Sequence, residues 1–333
     1  MRTLTLLLFS LFAAGTARAG TLPEDWIASP DTYATVHGAP EDSVTVTRIA
    51  EHVATALPLL SARLGVPAGA AVDIVIAPTN ALFGSLQPGH TPDWADGTAW
   101  PDRGEIFLHA PSARRGDAPR LEQVTDHELV HILVGRAFQG RPVPRWLQEG
   151  LAQFYAGELG PQTAEVLTRG AATGRLLPLK RISAGFPADA LGAQLAYAQT
   201  ADFTAFLAQR AGGGERGDAV LRKLLAAGQR GATLEEAVYA ATGEELGVIE
   251  AAWRARWLSP WVRANGLAQS GIPALAAATL LAVGAWRRRR RYHAGLERLE
   301  AQERAEEAWR EEQRRRADGR RLYHRVILDG NTA

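Results

Sequence analysis

The chain has 333 residues, 46% of them hydrophobic and 22% charged, which is ample for a packed core and longer than one average domain. Thirty-seven basic residues against 36 acidic ones leave a net charge of +1, so the overall charge makes no case for a nucleic-acid partner. Cysteine is absent, which excludes disulfides and restricts any metal site to His, Asp and Glu.

The chain opens with Arg2, an apolar run over 4–14 and the small-residue signal Ala17-Arg18-Ala19. That order predicts an export signal over 1–19, with the mature chain starting near Gly20. Over 42–64, Val46, Ile49, Val53, Ala54, Leu57 and Leu60 recur near a helical period, and Gly65 and Pro67 mark the stop. AVDIVIAP (71–78) and GEIFLHAP (104–111) read as strands, the latter with Ile106 and Leu108 on one face. A helix is predicted over 120–138, broken by Pro142 and Pro144, and a second over 145–159. Beyond Gly192 the pattern is helical over 196–211, 218–227, 234–241 and 244–258, with Gly-rich turns such as AGGGERGD between.

No charged residue occurs from 264 to 286, close to the ~20 residues that span hydrocarbon. Trp261 and Trp286 sit at interfacial positions, and Arg287–Arg291 follow at once, which favours a cytoplasmic C-terminal side. Residues 292–318 are charged and helix-prone. Glu300/Arg304, Glu306/Arg310 and Glu311/Arg315 pair at i,i+4 without an apolar seam, the pattern of a solvated helix rather than a coiled coil. The expected organisation is a signal peptide (1–19), an exported domain (20–262), one membrane helix (264–286) and a cytoplasmic tail (287–333). The exported domain then lies on the periplasmic or extracytoplasmic side of a cytoplasmic membrane.

Within 120–138 stands His127-Glu128-Leu129-Val130-His131. Residues i and i+4 share a helix face, so both imidazoles can reach one metal ion. Glu128 is turned about 100° away and can reach a metal-bound water instead, as a general base. A catalytic zinc takes a third protein ligand and keeps one position open. The metzincin pattern fails, because Ala137 stands where its third histidine belongs and Val134 where its glycine does. VPRWLQEGLAQFYAG (143–157) supplies Glu149 on a second helix past a proline break; Glu158 competes with it less well, and Glu122 is poorly placed.

HELVH followed by P-x-W-L-x-E-G-L-A resembles the gluzincin zinc metallopeptidases, and more closely the bacterial peptidase MA-like domains. The likeness extends over about 30–258. LGVPAGAAVDIVIAPT (64–79) is similar to the strand before the site, WADGTAWPDRGEIFLHAP (94–111) to the edge strand, LAYAQTADFTAFL (195–207) to the helix after the site, and 233–258 to the closing region. The resemblance implies Zn2+ on His127, His131 and Glu149, Glu128 as catalytic base, and a peptide or protein substrate paired along the strand around Glu105–His109. Tyr197, ahead of Tyr155, is the candidate for stabilising the oxyanion. Asp126 and Gln153 are candidates for holding the imidazoles, with plain surface polarity as the alternative. The implied fold is α+β and zincin-like: a small, mostly antiparallel sheet on the HExxH helix, then a helical lobe, with the cleft between. The reading is a membrane-anchored zinc peptidase. The alternatives are another metal-dependent hydrolase, or a catalytically silent zinc-stabilised peptide-binding module, against which the retained Glu128 argues.

Overall fold

Short β-branched runs and one long amphipathic helix build the first layer. The computed structural model describes residues 20–260 apart from 90–94, 115–119 and 211–213, and further on 262, 279–291 and isolated positions between 298 and 315. The export signal therefore lies outside the described residues.

Strands β1 (Ile27–Pro30) and β2 (Ala34–Gly38) form an antiparallel hairpin, and helix α1 (Ser43–Leu64) leads to β3 (Val72–Ala77). Helix α2 (Asn80–Leu86) follows, then β4 (Gly97–Trp100) and β5 (Glu105–His109). The five strands lie in the order β1-β2-β3-β5-β4. The β2–β3 and β3–β5 pairings are parallel and the β1–β2 and β4–β5 pairings antiparallel. The sheet is therefore mixed, which corrects the expectation of a mostly antiparallel one. The reason is connectivity: β2 reaches β3 across α1, and a helical crossover returns the chain parallel to its start. The same register corrects the placement of Glu105–His109 as the edge. β5 is hydrogen-bonded on both sides, and β4 is the edge beside it.

Both faces of the sheet are covered, which explains the nearly unbroken apolar run of β3. Val72, Ile74 and Ile76 join the main core with the buried stripe of α1, while Val75 and Ala77 meet Phe83, Leu86, Trp100 and Phe107 on the α2 side. Helix α3 (Leu121–Phe138) lies on the main-core face against α1, β4 and β5. It is buried nearly all round, and only a helix enclosed on every side carries that pattern.

The helical lobe comprises α4 (Arg145–Tyr155), α5 (Pro161–Ala172), α6 (Ala190–Arg210), α7 (Gly214–Gln229), α8 (Leu234–Thr242) and α9 (Leu246–Trp257). Helices α4 and α6 pack closely because Gly150 has no side chain: a Cβ there would sit 2.7 Å from the Thr200 carbonyl oxygen. Trp146, Phe203 and Trp253 stack edge to face at 5.3 and 5.8 Å and tie α4, α6 and α9 together. Trp253 and Trp257 each donate an indole N–H to Asp202 Oδ2 at 2.7 Å.

The chain divides into two compact units, 1–266 and 267–333. In the second, residues 279–291 are helical and exposed. Among the described residues no helix is long and apolar enough to cross a membrane. The expected span over 264–286 falls at 264–278 outside the described residues, as does most of the tail beyond 291.

Candidate metal centre

Helix α3 presents His127 and His131 one turn apart, with ring centroids 4.9 Å from each other. Its C-terminus closes on Gln139 and Gly140, both in the left-handed region, and Pro144 then starts α4 in a new direction. That reversal brings Glu149 over the two imidazoles. Glu149 Oε2 lies 3.6 Å from His127 Nε2 and 3.9 Å from His131 Nε2. One ligand atom from each of the three residues falls within 4.8 Å of the others.

These residues are sealed from solvent: His127 and Glu128 are 0% exposed, His131 and Glu149 1%. His127 Nε2, both nitrogens of His131, both oxygens of Glu128 and Glu149 Oε2 have no hydrogen-bond partner. Leaving polar atoms bare in a core costs about 1–3 kcal/mol each, so a cluster of them calls for a common partner. A divalent cation meets the requirement. Ligands ~2.1 Å from zinc at tetrahedral angles stand roughly 3.4 Å apart, close to the contacts Glu149 makes. The residues fit the ion.

Local structure places a further carboxylate. Helix α4 ends in a Schellman turn, with Gly157 at φ +69°, the Gly157 N–H on the Phe154 carbonyl at 3.4 Å and the Glu158 N–H on the Gln153 carbonyl at 3.0 Å. The turn folds Glu158 back so that its Oε1 accepts from His127 Nδ1 at 2.7 Å. Glu158 therefore faces the nitrogen opposite the one that faces Glu149. It braces the imidazole from that side, and leaves His127, His131 and Glu149 as the group that could hold a metal.

Charge follows this arrangement. Burial works against a charged His127, but the Glu158 charge, the contacts to Glu149 and Glu158, and the Glu128 charge outweigh it and raise its pKa to about 10. Burial lowers His131 to about 3, with the His127 and Arg145 charges adding and Glu149 opposing, so that ring is a neutral donor. Glu128 is pushed up to about 8 by burial, then opposed by His127 and reinforced by Glu149 and Glu158. Glu149 is held below the usual carboxylate value against burial, by His127, His131 and Arg145.

The other expected residues divide. Tyr197, on α6, lies near Glu149: burial and the Glu149 charge hold its hydroxyl well above the usual phenol value, and Arg145 donates a hydrogen bond to it. The Tyr155 hydroxyl instead donates to Asp218 at 3.0 Å beneath Arg63. Asp126 and Gln153 hold no imidazole of the site. Asp126 pairs with His52 on α1 at 2.7 Å, and Gln153 donates to the Glu149 carbonyl and to Thr200 Oγ1 on α6. Both residues brace the helices that carry His127, His131 and Glu149. His109 is on the far face of the sheet, stacked on Phe83 at 3.8 Å with Nδ1 donating to the Ala95 carbonyl at 2.9 Å. Edge strand β4 comes close to Glu128, because a Cβ at Gly97 would lie 3.1 Å from Glu128 Oε1.

Two histidines one turn apart, a glutamate from the next helix and a mixed sheet beside them define a zincin-like α+β domain with a His-His-Glu site able to hold a metal. The chain belongs to the peptidase MA superfamily, whose model matches residues 53–259. No curated protein matches it.

Proposed function

We propose that this protein is a zinc-dependent peptidase that hydrolyses peptide bonds, with His127, His131 and Glu149 as the metal ligands and Glu128 as the base. The observation that carries the reading is the set of buried, unpartnered ligand atoms converging beside Glu128. Zinc, when bound, supplies Lewis acidity that polarises a peptide carbonyl and acidifies water. Glu128 takes a proton from water and delivers it to the leaving amine nitrogen. Tyr197 donates to the oxygen on which charge develops. Glu158 keeps the His127 ring in one orientation and one tautomer. The uncharged run 264–286 and Arg287–Arg291 support an anchored enzyme whose domain faces the extracytoplasmic side of the membrane.

The enclosure of Glu128 favours a second reading, a zinc-stabilised peptide-binding module that does not cut. One experiment separates the two. The full-length protein, with Glu128→Gln beside it, is assayed for zinc content and for cleavage of a mixed peptide library by mass spectrometry. About one zinc per chain in both, with cleavage only in the wild type, is the expected result. Zinc in both and cleavage in neither supports the silent module. A folded wild type that takes up no zinc refutes both.

A further inference from the structure

Arg145 is the first residue of α4, one turn before Glu149. A cation there opposes the helix dipole, and Arg before Glu is the less favourable i,i+4 order, so helix stability does not explain the pair. Its surroundings are nonetheless built. The guanidinium rests on the Phe186 ring at 5.1 Å, and Phe186 stands edge-on to Tyr197 at 4.8 Å. Only 15% of the Arg145 side chain is exposed, and a charge that deep is tolerated only where opposite charge meets it.

The charge it meets is divided between two tasks. Arg145 Nη2 lies 3.3 Å from Glu149 Oε1, while the other oxygen, Oε2, faces both histidines. Held by one oxygen, the carboxylate presents the other. The site also gathers three carboxyl groups, with Glu128 0% exposed and the Glu149 and Glu158 side chains 1% and 8% exposed.

We propose that Arg145 is a positioning residue for the metal ligand Glu149: it holds Oε1 so that Oε2 alone is offered to the ion. This rests on the metal-site reading above. Arg145 acts on the ion through Glu149, and zinc affinity reads that route apart from its hydrogen bond to Tyr197.

The test measures zinc affinity of the full-length protein by competition with a chromophoric chelator, and the electronic spectrum of the cobalt-substituted form. The set is wild type, Arg145→Lys, Arg145→Gln, Glu149→Ala and the Arg145→Gln/Glu149→Ala pair. Arg145→Gln is expected to weaken zinc by about 10–100-fold and to move the cobalt bands, with Arg145→Lys recovering part of the affinity. In the Glu149→Ala background, Arg145→Gln adds no further loss. Wild-type affinity and spectrum in Arg145→Gln overturn the proposal. So does tighter zinc binding, the result if Arg145 merely repels the ion, or an equal loss with and without Glu149, the mark of general damage. Should Arg145→Gln fail to fold, Phe186→Leu removes the ring beneath the guanidinium and leaves Arg145 in place; weaker zinc binding is expected, and unchanged affinity overturns the proposal. A wild type that binds no zinc overturns the metal site itself, a different outcome from Arg145→Gln matching a zinc-binding wild type.

Discussion

Replacing Glu158 by alanine removes the oxygen that lies 2.7 Å from His127 Nδ1 and leaves a fully buried ring N–H without its acceptor. An orphaned buried donor costs about 1–3 kcal/mol. Losing the group that orients a ligand imidazole lowers metal affinity roughly 10–100-fold, or about 1.4–2.7 kcal/mol, so two independent routes give the same scale. Glu158→Gln keeps an acceptor of the same shape but not its charge, and charge-assisted bonds are roughly twice as strong as neutral ones. It should sit near the mild end, about tenfold. Glu149→Ala deletes a ligand outright and should exceed both. The assay is chelator competition for zinc at fixed pH, with unfolding curves of the metal-free proteins to separate affinity from stability. The order Glu149→Ala, then Glu158→Ala, then Glu158→Gln is the expected result. Wild-type affinity in Glu158→Ala would refute the orienting role. A loss larger than that of Glu149→Ala would make Glu158 the ligand and reverse the assignment.

Gly150→Ala should destabilise the domain, although alanine is the better helix former by about 0.8–1 kcal/mol. Its Cβ would press on Thr204 Oγ1 and lie 2.7 Å from the Thr200 carbonyl oxygen, which cannot rotate away. Overpacking of this kind costs about 1–3 kcal/mol, so chemical denaturation should show a net loss of up to about 2 kcal/mol, and a raised midpoint would contradict the packing argument. His52 gives a pH signature. Its hydrogen bond to Asp126 raises its pKa above 6.5, against burial and with help from the Asp126 and Glu122 charges; Arg48 in turn pairs with Glu122 at 3.1 Å. A folded-state pKa raised above the unfolded one contributes stability fully below about pH 6.5, and that stability is lost as pH rises through the folded value. The unfolding free energy of His52→Gln should therefore fall less over that interval than the wild type's. Parallel curves would remove His52 as the source.

Much of the fold was legible because local rules agreed. The α1 stripe, the β3 and β5 runs and the bounds of α3 follow from periodicity and from Gly and Pro stops. Strands β1, β2 and β4, of four or five residues and containing Pro30, His37, Gly38 and Gly97, carry no alternation strong enough to read. Without them the strand order was out of reach, and so was the fact that β5 is interior. The Gly157 turn was readable in principle, because a glycine just past a helix end forecasts a reversal, but what the reversal delivers Glu158 to is not a local property.

The sequence by itself determined the chemistry on offer: His127 and His131 one turn apart, Glu128 beside them and Glu149 past a proline break. Four-residue spacing fixes a helix face whatever the surroundings. Tertiary structure alone decided which atom meets which. Glu149 closes over the histidines because α3 and α4 reverse and pack, Glu158 takes Nδ1, Arg145 takes the spare carboxylate oxygen, and the edge falls on β4. Those contacts join residues far apart in the chain, or opposite sides of one side chain, and no local periodicity encodes such distances. Burial then sets the direction of the shift at Glu128 and His131, while the carboxylates around His127 overcome it there.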